Sequence, residues 1–328
     1  MRAEIWADVV CAWAYIGKRR LERALADWRG EPVEVVWRPF RIDPMAPPRA
    51  LPLAGELRDP LVDGALRQCS PGLSPAENRV RVSRIAAEEG IGPHWGAAWR
   101  ANSHDAHRLL AVAHEQGGSS LQNTVAEGLL RAHFTEARDI SAPEVLTDIA
   151  RQAGFLQGGD LLAQGAGDRT VRELLLSGKA RGIKTSPTLV VAGRALPGAQ
   201  PPEVITDFLH ATAGETERPL PPEVRRFREA ESLLDLGDPL GCLTLLAPLL
   251  EDRTTATDRG VRTLAARAYF HSAQLGRAAA TLEDLVATSP DDSYARLLLG
   301  RTRERQGRSA EAAGHLRLAT AMTPSYGH

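Results

Sequence analysis

The chain opens on an alternation of period two. Ala3, Ile5 and Ala7 are set against Arg2, Glu4 and Trp6, and Val9 and Val10 follow. This spacing predicts a strand. Beyond Cys11 the period lengthens. Ile16, Leu21, Leu25 and Trp28 stand near helical spacing, which predicts a helix. Cys11 therefore falls where strand gives way to helix. The first backbone N–H groups of a helix have no internal partner, and its dipole places partial positive charge there. Both favour the thiolate, the reactive form of cysteine. A second strand is predicted over Val33 to Val36, continuing to Ile42, with Pro39 confining it to an edge or a strand end. Asp43-Pro44-Met45-Ala46-Pro47-Pro48 breaks it.

Leu51 to Pro75 reads as a loop. From Ser74 to Lys179 the pattern turns helical, with helices over Glu77 to Glu89, Ser103 to Gln116, Leu121 to Phe134, Ala142 to Ala153 and Asp168 to Ala180. Gly117-Gly118 separates the second from the third. Ser141-Ala142-Pro143-Glu144 has the form of a helix start: a hydroxyl cap, an early proline, then an acid. The apolar β run at Thr188 to Val191 follows Ser186-Pro187, and Ala192-Gly193-Arg194 turns it into a hairpin. A last helix is expected to run to Ala211.

Ala213 to Pro222 carries glycine, glutamates and prolines and reads as a linker. The remainder, 223–328, is helical and repeats. Leu299-Gly300, Gly307, Ala312, Leu316, Ala319 and Pro324 fall at the spacings of a tetratricopeptide unit. Tyr269, Gly276, Leu282 and Pro290 form an earlier unit, and Leu233, Leu236-Gly237, Cys242 and Leu246 a more degenerate one. Small residues let two helices approach, and three hairpins suffice to share a core. Either a protein contact, including a homodimer, or a stabilising appendage fits this pattern.

Composition narrows the function. With 328 residues, 43% hydrophobic and 25% charged, the chain is expected to form a soluble protein of more than one domain. A net charge of −1 supports neither nucleic-acid nor acidic-membrane binding. There is no signal-peptide pattern and no apolar run long enough to span a membrane, so the expected location is cytoplasmic. The cysteines, Cys11, Cys69 and Cys242, keep no Cys-x-x-Cys spacing, and no metal-ligand spacing is present. Cys69 lies in a loop-like segment. Cys242, in an apolar helix, reads as a buried structural cysteine.

Ile5-Trp6, Asp8-Val9-Val10-Cys11, Trp13 and Tyr15-Ile16-Gly17-Lys18-Arg19-Arg20 resemble the DsbA-like branch of the thioredoxin superfamily. In particular they look like the bacterial sub-family grouped with 2-hydroxychromene-2-carboxylate isomerases and kappa-class glutathione transferases. Asn102-Ser103-His104-Asp105-Ala106-His107-Arg108-Leu109, Leu129 to Glu136 and Gly198-Ala199-Gln200-Pro201 extend the resemblance over residues 1 to 212. It implies an α/β thioredoxin-like fold with a helical insertion at about 74–180, followed by the linker at 213–222 and the all-α tetratricopeptide-like domain. It also implies that Pro187 is a cis proline facing Cys11, which its X-Pro bond permits, and that the loop from Leu51 to Pro75 is a candidate lid over the site. The sub-family motif is Cys-Pro-Trp-Cys; here it is Cys11-Ala12-Trp13-Ala14.

A dithiol oxidoreductase needs a second cysteine to resolve the mixed disulfide, and Ala14 cannot. A lone thiolate suits reversible addition to a conjugated carbonyl compound, with rotation and elimination, which is catalysis without redox change. By analogy with the chromene-carboxylate enzymes, the leading expectation is thus a cis/trans isomerase of a conjugated small molecule, free or on a carrier protein, in secondary metabolism. A thiol–disulfide oxidoreductase or glutathione-linked enzyme, with glutathione as the external thiol, is the enzymatic alternative, and a scaffold binding through its repeats is the non-enzymatic one. Cys11 is the catalytic candidate. Trp13, Ala14, Tyr15, Ser186 and Pro187 are candidates to line the pocket, or to pack. Asn102 is a candidate to bind a carbonyl or to cap a helix, and His104 and His107 to move protons or stand solvated. Asp8 either tunes Cys11 or caps locally. Lys18, Arg19 and Arg20 read as solvated helix residues or as groups that attract an anionic substrate.

Overall fold

The computed structural model describes residues 1–56, 72–215 and 220–327, and the described chain divides into two compact units. The first, Met1–Gly178 with Ile183–Arg218, is built on a four-stranded sheet. Its strands are β1 (Arg2–Ala7) and β2 (Glu34–Pro39), then, after two short strands β3 (Leu51–Pro52) and β4 (Trp99–Arg100), β5 (Thr188–Val191) and β6 (Arg194–Pro197). The order is β2-β1-β5-β6. β1 and β2 are parallel, joined by helix α1 (Ala12–Ala26), whereas β5 runs antiparallel to β1 and β6 antiparallel to β5. The parallel pair brings the carboxyl ends of β1 and β2 to the same edge, where Ala7 faces Pro39. Pro39 is tolerated there because β2 is an edge strand and the ladder ends at that residue.

α2 (Leu53–Glu56) precedes the insertion, which contains α3 (Pro75–Glu88), α4 (His104–Phe134), α5 (Pro143–Gln152), α6 (Gly158–Ala163) and α7 (Asp168–Ala180). α4 is broken at Gly118 (φ 67°), so it comprises the two helices that the sequence predicts on either side of that glycine. Ser74 caps α3 in a reciprocal capping box with Glu77. At α5 the expected hydroxyl cap is absent: the Ser141 hydroxyl donates to Asp139 at 2.6 Å, and Ala142 takes the capping position without a side-chain hydrogen bond. Much of the loop expected between Leu51 and Pro75, at 57–71, lies outside the described residues, as does Cys69; its flanks form β3, α2 and the start of α3. The buried core runs from β1 and β5 through α1 into α4, with Leu109, Leu129 and Leu130 each 0% exposed. Helix α8 (Pro202–Thr212) packs on α1.

The second unit, Lys179–Gly182 with Pro219–His328, contains α9 (Pro222–Asp235), α10 (Pro239–Glu251), α11 (Arg259–His271), α12 (Leu275–Thr288), α13 (Ser293–Arg305) and α14 (Ser309–Met322). Each helix packs on the next, and short turns within α9–α10, α11–α12 and α13–α14 make antiparallel hairpins. Asp238, Asp258 and Asp292 cap α10, α11 and α13 through backbone N–H groups. At Gly300 α13 and α14 approach closely, since a Cβ there would lie 2.7 Å from the Leu316 side chain. Cys242 is fully buried in α10, and burial pushes its thiol up to about 12.

Two outcomes follow from this packing. Gly300→Val should destabilise the second unit by about 1–3 kcal/mol, the usual cost of overpacking; an unchanged thermal unfolding midpoint would contradict the close approach. In α4, His133 is 2% exposed with an unpartnered Nδ1, and burial pushes it down to about 4. Its folded pKa lies below the unfolded value, so the unfolded chain takes up a proton first as pH falls. Stability should drop by roughly 3 kcal/mol between pH 6.5 and 4 on this account. His133→Leu should flatten that part of the acid limb in denaturant titrations, and an identical limb in the variant would refute the assignment.

Candidate active site

Cys11 ends the turn after β1 and caps α1. Its backbone is extended (φ −90°, ψ 117°), and its carbonyl accepts the Ala14 N–H at 2.9 Å. The thiol is 7% exposed and donates to the Ser186 carbonyl at 3.4 Å. The Ser186–Pro187 peptide is cis, as is Gly92–Pro93, which the sequence did not single out. The Ser186 hydroxyl accepts the Asp8 N–H at 3.0 Å, so the turn before β5 is joined to the end of β1 twice. Gly17 makes the same approach from α1: a Cβ there would lie 3.1 Å from the Pro187 ring.

Asp8 is fully buried. Its Oδ2 accepts the Ile42 N–H at 2.7 Å, and its Oδ1 accepts the Val10 N–H at 3.4 Å and lies 3.3 Å from His107 Nε2. Burial alone would raise its pKa, but His107, the Ile42 N–H and the Ser103 side chain outweigh this and hold it below the ordinary carboxylate value. His107 Nε2 is also 2.9 Å from the Phe40 carbonyl. A carbonyl only accepts, so this nitrogen carries a proton.

These surroundings change the expected chemistry of the thiol. Burial pushes Cys11 up, while the Ser186 hydroxyl and the Ala14 and Trp13 N–H groups pull it down; the charge of Asp8 adds to the rise. The helix start does supply its N–H groups, but desolvation outweighs them, so Cys11 rests as a thiol hydrogen-bonded to Ser186.

The other candidates divide. Ser186, Pro187 and His107 stand in the network around Asp8 and Cys11. Ala14 is fully buried in the first turn of α1, at the position of the motif's second cysteine. Trp13 lies partly buried beneath the Arg81 guanidinium, 5.5 Å from its ring centroid. Tyr15 turns away from solvent: its hydroxyl donates to Glu127 at 2.8 Å, burial and Glu127 push it up to about 12, and its ring lies beside Trp95 and Phe134. It packs α1 against the insertion. Asn102 takes its capping alternative, accepting the His104 N–H at 3.0 Å, while its amide donates to Ala46 at 2.9 Å. His104 is drawn to Asp168 at 2.8 Å and is not part of the Asp8 network.

The basic run after Tyr15 is not simply solvated. Lys18 is 8% exposed and pairs with Glu22 and Glu127, Arg19 pairs with Glu127 at 2.6 Å, and Arg20 pairs with Glu89 at 2.6 Å. Carboxylates on α1 and α4 and at the C-cap of α3 draw these side chains in. A cavity of about 570 Å³ lies beside Lys18, Glu127 and Arg131, and one of about 290 Å³ beside His107, His114 and Arg38; Cys11 lines neither. Among the described residues, no group of His, Cys, Asp or Glu is arranged to hold a metal ion, and no helix is long and apolar enough to cross a membrane.

No curated protein matches the chain. Among solved structures, a probable DsbA oxidoreductase from Streptomyces coelicolor is 29% identical with a TM-score of 0.56, the alignment covering 67% of this chain and 93% of that one. A 2-hydroxychromene-2-carboxylate isomerase is 15% identical with a TM-score of 0.45, covering 64% of this chain and 94% of that one, a likeness too remote to bear on the site. The model of the DsbA-like thioredoxin domain matches residues 2–210, which span both the Cys11 junction and the Pro187 turn, and the chain belongs to that family.

Proposed function

We propose that the protein is a cysteine-dependent cis/trans isomerase of a conjugated small molecule, with Cys11 as its nucleophile. The observation that carries this reading is Ala14. It stands fully buried where dithiol chemistry requires the second thiol. A single thiol can still run a redox-neutral cycle. After its proton leaves to water, the thiolate adds to the carbon β to a carbonyl, and the electron pair of the double bond moves to the oxygen as an enolate. Rotation about the new single bond follows, and elimination restores the double bond in the other geometry and the thiolate with it. The half-buried position of Trp13 and the dry setting of Cys11 favour an apolar, unsaturated chain. In this reading the helical repeats hold a protein partner, such as a carrier bearing the substrate as a thioester, or a second copy of the chain. A lone working thiol also fits the cytoplasm, where it stays reduced.

A second reading is thiol–disulfide exchange in which glutathione takes the resolving role. The 29% identity to a probable DsbA oxidoreductase favours it. The two separate on one comparison: wild type, Cys11→Ser and Ala14→Cys, each assayed on a conjugated polyene thioester and on a disulfide. The isomerase reading expects wild type to isomerise the thioester, and Cys11→Ser to lose at least about 10³-fold in rate, as removal of a covalent nucleophile does. Ala14→Cys should gain nothing as an isomerase, because a disulfide can consume Cys11. Isomerisation by Cys11→Ser at the wild-type rate would exclude covalent catalysis by this residue. Disulfide turnover by wild type with glutathione, without isomerisation, would favour the second reading.

A further inference from the structure

We infer that Arg41 anchors an oxyanion on the substrate, which makes the substrate an unsaturated chain ending in a carboxylate or phosphate; this rests on the reading of Cys11 as the nucleophile. The parallel register of β1 and β2 sets Phe40, Arg41 and Ile42 alongside the segment that leads from Asp8 to Cys11, and the Ile42 N–H is bonded to Asp8 at 2.7 Å. Arg41 is thus held at the edge of the sheet that carries the thiol.

Its guanidinium is under-used. Of five N–H groups, one donates to Asn102 Oδ1 at 3.2 Å, and Nε is buried without a hydrogen-bond partner. No carboxylate pairs with Arg41 among the described residues. Its neighbours differ: Arg38 pairs with Glu4 at 2.8 Å, and Arg100 with Asp43 and Glu56 at 2.7 and 2.6 Å. A buried N–H left unmatched costs free energy, and a planar guanidinium fork is shaped for two oxygens of one anion. Asn102 holds that fork in place, because its amide is itself fixed to the Ala46 carbonyl at 2.9 Å.

The residues beside Arg41 suit the rest of such a ligand. Ile42 and Met45 are 49% and 82% exposed, although the segment that carries them is tied down through Ile42 to Asp8 and through Asp43 to Arg100. An apolar chain lying over Ile42 and Met45, with its charged end on Arg41, would stay beside the segment that Ile42 ties to Asp8, three residues before Cys11. Arg41 then selects the substrate and positions it, and the thiol reacts.

Sorbate and its neutral analogue 2,4-hexadien-1-ol are suitable probes, titrated calorimetrically into the full chain. Wild type and Cys11→Ser should both bind sorbate more tightly than the alcohol. Arg41→Gln should weaken sorbate about 10- to 100-fold, the worth of hydrogen bonds to a charged group. It should leave the alcohol unchanged, which also shows that the variant is folded, and Arg41→Lys should recover part of the loss. Displacement of sorbate by inorganic phosphate at comparable concentration would assign the anion as phosphate, and failure to displace it as carboxylate. Equal binding of sorbate and alcohol, no binding of sorbate, or wild-type sorbate affinity in Arg41→Gln would overturn the anchor. If sorbate preference persists while Cys11→Ser isomerises as fast as wild type, the nucleophile reading falls and the anchor stands.

Discussion

A carboxylate with no exposure to water must find all its partners within the protein, and Asp8 does so by drawing four parts of the chain together. Its side chain accepts from Ile42 beyond β2, from Val10 in the turn before Cys11, and from Ser103 and His107 at the start of α4. Its own N–H reaches the Ser186 hydroxyl in the turn before β5. Removing one partner of such a buried charge typically costs about 3–5 kcal/mol, because the other is left uncompensated. The insertion is therefore fixed to the thioredoxin sheet through the same residue whose carbonyl accepts the Cys11 N–H at 3.0 Å.

That arrangement sets the character of the thiol. In a wetter site the N–H groups at the start of α1 would lower its pKa. Here burial and the Asp8 charge prevail, and Cys11 is held as a thiol against the Ser186 carbonyl. Under the proposed isomerase reading, a thiol protected in its resting state is a nucleophile that reacts only when a substrate occupies the site. Such a nucleophile spares itself from oxidation, which follows thiolate character and exposure. With Ala14 in place of a second cysteine, no neighbouring thiol of the motif is available to draw Cys11 into a disulfide.

How much of this could be read from the sequence depended on the range of the interactions involved. Cys11 at a helix start, the break at Gly118 and the proline before β5 all leave local marks: a change of period, a glycine pair, a proline at the head of an apolar run. The Asp8–His107 pair joins residues 99 apart and leaves none. The spacing of Ser103 and His107, one helical turn, was the available hint that two polar side chains share a face. Lys18, Arg19 and Arg20 read as solvated because their carboxylate partners, Glu127 and Glu89, lie on helices whose packing no pattern in α1 reveals. For Tyr15 the sequence leaves pocket lining and packing open for the same reason, since the partner that takes its hydroxyl, Glu127, is 112 residues away.

The central claim is that burial holds Cys11 as a thiol at rest and that the charge of the buried Asp8 adds to this. The most direct test is the pH dependence of Cys11 alkylation by iodoacetamide, in a Cys69→Ser, Cys242→Ser background, with and without Asp8→Asn. Asparagine keeps the shape and removes the charge, so the titration should move to lower pH in the variant while both remain folded by circular dichroism. A midpoint that stays in place, or moves to higher pH, would contradict the account.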